Sequence, residues 1–417
     1  MPPRSSALQN NPGKYLFILR GAADIDNLAP VIWACGRASQ PMLLLTSSSQ
    51  ADQLVRSAWW WVDLTHATVV AFTADDSRHT ITRRLRRIRH HRAAMRRFLR
   101  HNSVRLVAVE WGELPQRRGT SLLRRVWRWC SNDVVSQVKH AAQDLGIPIV
   151  ALPHGHSTKT VVIRSRHVEE VMAKHGGRLP FADRDGFAAY VFASRYHRDA
   201  ILASSTMSGR NIEVWGSPRF NDVWVPRLYA QAPLWSLPQT GVGRRVVLFF
   251  VPKWNNLIDR VETLRLMIAI AEQPGLHLVV RGHIRSADSG VSASELVALQ
   301  STKNVTVVAE GTSSASLINA CDVLVDVDSS IAFDAVILDK PYVRPKYLQD
   351  ESVSTIWDEL GGAHQTLTRE ETMSLLVAPM LSTASRNADF DEVVFGGQGN
   401  DVLSRYRDGL AAIYKRV

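Results

Sequence analysis

Short apolar runs rich in β-branched residues alternate with helical stretches along nearly the whole chain. In the first part the runs are 15–19, 42–45, 68–72, 104–109, 148–151, 189–192 and 212–215; in the second they are 246–251, 276–280, 305–308 and 323–325. Most are continuous rather than alternating, which is the pattern of strands buried on both faces of a sheet. Stretches such as 258–271 between them have helical character. This order constrains the chain to an α/β architecture with parallel sheets. Segment 230–243 breaks the pattern with Pro233, Pro238, Gly241 and Gly243 and little periodicity, as a linker does. Two sheet domains of similar size would then face a cleft, with ligands beyond the carboxyl ends of the strands. The expected division is 1–235 for the first sheet domain, 236–385 for the second, and 386–417 for a helical segment packing back on the first.

A hydrophobic fraction of 45% over 417 residues is ample for packed cores. No run of eighteen apolar residues suggests a membrane span, and the polar N-terminal tail lacks the apolar core of a signal peptide. Cys35, Cys130 and Cys321 are far apart and odd in number, unlike a disulfide framework or a zinc site. The expectation is a cytoplasmic protein in a reducing compartment.

Much of the net charge of +11 sits in 83–100, where Arg83, Arg84 and Arg87 lie among Leu85, Ile88, Met95 and Phe98, which recur with the preceding Ile81 at helical spacing. A second basic stretch places Arg117, Arg118, Arg124, Arg125 and Arg128 around Trp127 and Trp129. A basic amphipathic helix fits a solvated face or an anionic membrane surface. Nucleic acid is a weaker partner, because no recognition motif or stacking platform accompanies the charge.

Five polar clusters follow predicted strands. His154-Gly155 with Lys159 offers a general base and a cation for phosphate. Gly216-Ser217-Pro218-Arg219 offers a turn and a bidentate donor. Pro252-Lys253-Trp254-Asn255-Asn256 adds a cation and two amides, and Arg281-Gly282-His283 sets a histidine beside arginine. In the fifth, the strand 323–325 runs into Ser329-Ser330 before a predicted helix that carries Asp334, a junction suited to a phosphate or to a simple helix cap. Asp326 and Asp328 form a weak Asp-x-Asp candidate for a divalent cation; no metal ion or other cofactor is required by the reading. No Walker A loop, convincing dinucleotide fingerprint or nucleophile elbow is found.

Taken in order, these clusters resemble the CDP-glycerol glycerophosphotransferase family, the teichoic-acid-type polymerases and primases of GT-B architecture. The likeness covers about 147–343: His154-Gly155 with Lys159, then Ala193-Ser194, Gly216-Ser217-Pro218-Arg219, Pro252-Lys253-Trp254-Asn255, His283, and the Ser329–Asp334 run followed by Lys340-Pro341. The chain departs from the family at Pro153, Asn255, Ile284 and Val327-Asp328, where the family has Trp, Arg, Pro and Asp-Tyr. The resemblance implies two Rossmann-like domains, 1–235 on the acceptor side and 236–385 binding the nucleotide donor, and transfer of glycerol phosphate or a sugar from a nucleotide-activated donor of the cytidine class (CDP-glycerol or a CMP-sugar) onto a lipid-linked or polymeric acceptor. It implies His154 and His283 as catalytic residues. Lys159, Arg219, Lys253, Arg281, Ser329, Ser330 and Asp334 would bind the donor phosphates. Capsule or lipopolysaccharide glycosyltransferases that use CMP-sugars have similar motifs. A non-catalytic binding protein derived from such a transferase is a further alternative, favoured by the departures and opposed by the retained histidines, arginine and serines.

Overall fold

The protein is seen in a computed structural model, which describes residues 13–46, 66–71, 92–110, 134–153, 166–237, 243–282, 292, 295, 299, 301–302, 304–308, 312–384, 386 and 388–416. Thirteen described strands form two parallel sheets. The first contains β1 (Lys14–Leu19), β2 (Met42–Thr46), β3 (Ala67–Ala71), β4 (Val104–Glu110), β5 (Ile149–Leu152), β6 (Ala189–Phe192) and β7 (Ile212–Val214), ordered β3-β2-β1-β4-β5-β6-β7. The second contains β8 (Arg245–Phe250), β9 (Leu276–Arg281), β10 (Val305–Val307), β11 (Val323–Val325), β12 (Tyr342–Pro345) and β13 (His364–Thr366), ordered β10-β9-β8-β11-β12-β13. Helices α1 (Ala22–Arg37), α2 (Val134–Asp144), α3 (Arg166–Lys174) and α4 (Arg195–Ser204) accompany the first sheet, and α5 (Trp224–Ala230) follows it. Helices α6 (Arg260–Glu272), α7 (Ser314–Ala320), α8 (Ala332–Ile337), α9 (Ile356–Leu360) and α10 (Arg369–Val377) accompany the second, and α11 (Asn400–Lys415) ends the chain.

The central strands are buried almost throughout, as continuous apolar runs require of parallel strands covered on both faces. All eleven strands read from the sequence are present within a residue or two of their expected ends. The last two, β12 and β13, are additional: Arg344, Pro345 and Gln365 interrupt their apolar character and hide them from a search for continuous runs.

Both sheets reverse their strand order beside the first strand of the domain. In the first sheet the chain runs outward from β1 to β2 and β3, then returns to β4 on the other side of β1; in the second it runs from β8 to β9 and β10, then returns to β11. Such a reversal leaves a crevice at the strand carboxyl ends, because the flanking connections leave in opposite directions. These two crevices are where chemistry-bearing residues should gather.

The chain crosses between the sheets twice. The first crossing is α5, whose Trp224 packs against Trp33 of α1 at 5.7 Å while the helix lies on α7 and α8. The return runs through Phe390 and Phe395 into α11. That helix packs on α1 and buries Val402, Tyr406, Leu410 and Ile413 among Tyr15, Phe17 and Leu106 of the first sheet. Gly396 makes the return turn feasible. Its φ of +68° suits glycine, and a Cβ there would lie 2.4 Å from the Ala193 carbonyl oxygen.

Candidate active site

The crevice of the second sheet gathers three of the predicted clusters. Lys253 and Trp254 follow β8, Arg281 closes β9, and Ser329 and Ser330 follow β11. Because β8 is hydrogen-bonded to both β9 and β11, these strand ends are neighbours. The Val251 N–H donates to the Arg281 carbonyl at 2.9 Å, and Asn256 Nδ2 donates to Asp328 Oδ2 at 2.8 Å, tying the loop after β8 to both flanks. Arg281 is buried, whereas Lys253, Ser329 and Ser330 are half-buried. Two cations and two hydroxyls at one set of strand ends form an environment suited to a phosphate.

The serine turn is held from below by a buried carboxylate. Asp326 is fully buried and its Oδ2 accepts the Ser329 N–H at 2.7 Å, while Ser329 Oγ accepts the Ile331 N–H at 3.3 Å. Burial, reinforced by the negative charge of Asp328, pushes the Asp326 carboxyl well above the usual carboxylate range. Arg344, also fully buried, donates from Nε to the Val327 carbonyl at 3.1 Å and uses its other nitrogens on Asp358, Gln365 and Gln349. Lys340, the last residue of the serine cluster's motif but one, donates to the carbonyls of Asn319 and Cys321 at the end of α7. Among the described residues no three His, Cys, Asp or Glu side chains come together as a metal site.

Arg219 and Asp334, read as phosphate ligands in the sequence, are engaged with each other. Arg219 Nη1 and Nη2 donate to the two Asp334 carboxylate oxygens, each at 2.7 Å, and Nε donates to Asp26 Oδ1 of α1 at 2.9 Å. The Tyr229 hydroxyl donates to Asp334 Oδ2 at 2.8 Å. Arg219 and Asp334 are both buried. Burial opposes charge on Arg219, but Asp26 and Asp334 outweigh it and hold the guanidinium well above its ordinary pKa. The Gly-Ser-Pro-Arg turn and the end of the serine motif therefore meet, with Phe220 and Phe333 packed at 5.0 Å beside the ion pair. Ala193-Ser194 lies close by: Ser194 caps α4, and the Ala193 carbonyl backs the Gly396 turn.

The crevice of the first sheet holds a cluster that the sequence reading missed. Arg20, just after β1, donates from Nε to Asp24 Oδ2 at 2.8 Å and from Nη2 to Glu110 Oε2, at the end of β4, at 3.1 Å. Asn27 donates to Glu110 Oε1 at 2.6 Å. Asp24 and Glu110 are almost wholly buried. Burial and a hydrogen bond to Glu110 push the Asp24 carboxyl up to about 7, against the pull of Arg20. No motif marks these residues. Their one signal is position, a polar residue at the carboxyl end of each strand that flanks the reversal.

His154, Lys159, His283, Arg83, Arg84 and Arg87 lie outside the described residues. The end of the basic stretch is described: 92–101 is helical, Met95 and Leu99 are buried, and Arg92 and Arg96 pair with Asp144 of α2 at 3.0 and 3.4 Å. No helix among the described residues is long and apolar enough to cross a membrane.

No protein-family model matches the chain, and no curated protein sequence matches it. Solved structures do. UDP-GlcNAc 2-epimerase from Methanocaldococcus jannaschii matches with a TM-score of 0.60 at 11% identity, over 96% of this chain and 99% of that one. A glycosyltransferase from Rickettsia africae matches with a TM-score of 0.55 at 8% identity, over 98% of this chain and 100% of its own. UDP-GlcNAc 2-epimerase from Neisseria meningitidis, bound to UDP-GlcNAc, matches with a TM-score of 0.56 at 10% identity, over 97% and 100%. The fold is GT-B-like. The likeness spans both sheet domains and both crossings; at such low identity it speaks for architecture alone.

Proposed function

We propose that the protein is a transferase that uses a nucleotide-activated donor and binds it at the carboxyl ends of β8, β9 and β11. The observation that carries this reading is the convergence of Lys253, Arg281, Ser329 and Ser330 on the strand-order reversal of the second sheet. The donor is of the cytidine class, CDP-glycerol or a CMP-sugar, on the strength of the motif order. The group transferred is glycerol phosphate or a sugar, and the acceptor is a lipid-linked or polymeric chain. His154 removes the acceptor hydroxyl proton, and His283 joins the cations in stabilising charge on the leaving nucleotide. Positioning and electrostatic clamping supply most of the rate in such transfers, and a general base adds roughly two to four powers of ten. The nucleotide sugar bound to one protein of the same fold supports the donor class in general terms. The protein works in the cytoplasm, with its basic 83–100 segment on an anionic membrane face.

A thermal-shift panel of CDP-glycerol, CMP-sugars, UDP-sugars and GDP-sugars tests this reading, because a ligand that prefers the native state raises the melting temperature with occupancy. Stabilisation by a cytidine donor, weakened by Ser330→Ala, is expected. No stabilisation by any nucleotide would refute it. His154→Ala is then expected to abolish transfer while leaving donor binding intact; near-normal turnover would remove the base assignment.

A further inference from the structure

The two crevices sit in separate domains, so a reaction between them requires a fixed relative orientation. We infer that Arg219 is a positioning residue that locks this orientation by holding α1 and α8 together. This deepens the transferase reading at the same cleft and rests on it for any consequence in turnover. The first turns of α1 carry Asp24 and Asn27, which hold Arg20 and Glu110 at the first crevice. The same turns carry Asp26, which holds Arg219 Nε. The two remaining nitrogens of Arg219 grip Asp334, four residues beyond Ser330 on the segment that forms the second crevice. A continuous chain of charged hydrogen bonds and one turn of helix at each end thus connects the two sets of strand ends.

The neighbouring contacts are weaker constraints on direction. The Tyr229 hydroxyl gives Asp334 a single hydrogen bond and Asn319 gives one to the Tyr229 carbonyl, while Phe220, Phe333 and Phe395 pack across the junction through a hydrophobic attraction that has no direction of its own. A guanidinium paired through both terminal nitrogens fixes a plane and a direction. Its third contact, to Asp26, spends the remaining planar direction on the first domain. Lysine would keep the charge yet reach one partner at a time.

Double electron–electron resonance between spin labels at Ala203→Cys on α4 and Val261→Cys on α6, in a Cys130→Ser background, reads the orientation directly. Both label positions are exposed, and Cys35 and Cys321 are buried. Arg219→Lys is expected to broaden or shift the distance distribution, and Asp26→Asn to do so in the same direction by less. CDP and UDP serve as probes of the second crevice, and their affinities in both variants are expected to stay within about twofold of the parent, since that half-site is intact. Wild-type distance distributions in folded Arg219→Lys would overturn the inference. If Arg219→Lys fails to fold, Asp26→Asn decides, because it removes only a half-exposed carboxylate. Binding of neither probe by the parent protein would count against the donor reading and leave the distance result to judge the lock alone.

Discussion

The buried carboxylate at the first crevice makes stability depend on pH in a way that one substitution should remove. Asp24 is pushed up from its ordinary 3.8 to about 7, first by burial and then by its hydrogen bond to Glu110. A carboxyl that holds its proton more tightly in the folded state stabilises the fold at low pH. That contribution is complete below the unfolded value of 3.8 and is lost as pH rises through about 7. At about 1.4 kcal/mol per unit, the full span is worth about 4 kcal/mol, of which about 2–3 kcal/mol falls between pH 5 and pH 8. Asp24 is 3% exposed, so little of this is screened by solvent.

Asp24→Asn isolates the effect. The amide oxygen can still accept from the Arg20 backbone N–H, as Asp24 Oδ2 does at 2.7 Å, but the side chain no longer titrates. Urea unfolding of both proteins at several pH values gives their stabilities by linear extrapolation. The advantage of the parent over Asp24→Asn should be larger at pH 5 than at pH 8 by about 2–3 kcal/mol, with titrating groups remote from Asp24 and Glu110 cancelling in the difference. An advantage that is the same at both ends of this range would refute the argument. It would mean that Arg20 keeps Asp24 ionised throughout and that burial is the lesser influence.

Three further outcomes follow from named contacts. Arg344→Met should destabilise the second domain by about 3–5 kcal/mol in urea unfolding, since it deprives Asp358, Gln365, Gln349 and the Val327 carbonyl of a buried donor. Gly396→Ala should cost about 1–3 kcal/mol from backbone strain alone, and more from the contact with the Ala193 carbonyl; a melting temperature equal to the parent's would show that the turn relaxes freely. The protein should sediment with anionic vesicles at low salt and be released at high salt, and replacing Arg83, Arg84 and Arg87 with Gln should weaken that binding; no sedimentation at low salt would dismiss the membrane face.

The elements that were legible in the sequence are those whose environment is uniform. A strand such as Met42–Thr46 is buried along its whole length, four of its five residues are apolar, and the run announces itself. Tyr342–Pro345 is just as buried, but it carries Arg344, whose charge is satisfied by groups from three other segments. No local pattern distinguishes that arginine from a surface one. The sites divide in the same way. Polar residues after strands could be located, because chain position alone marks the carboxyl ends. Their partners could not: Asp334 lies 115 residues from Arg219 and Glu110 lies 90 from Arg20, and only the packed sheets bring them together.

The serine motif shows why a cluster read as one ligand set can hold two functions. Ser330 and Asp334 are four apart, a spacing that places both on one side of a helix and invites a shared ligand. In the structure α8 begins only at Ala332, so Ser329 and Ser330 belong to the turn that Asp326 supports, half-exposed at the crevice. Phe333 and Asp334 lie in the first turn of the helix and are fully buried against the other domain's Phe220 and Arg219. The division falls within four residues, and the connecting backbone is stiffened by successive hydrogen bonds from Ala332, Phe333 and Asp334 back to the Ser329, Ser330 and Ile331 carbonyls. The serine turn is thus braced by Asp326 and by its own backbone bonds, whereas Arg219 holds only the helix side of the segment. On this geometry, loosening the domain junction at Arg219 leaves the phosphate-binding turn in place.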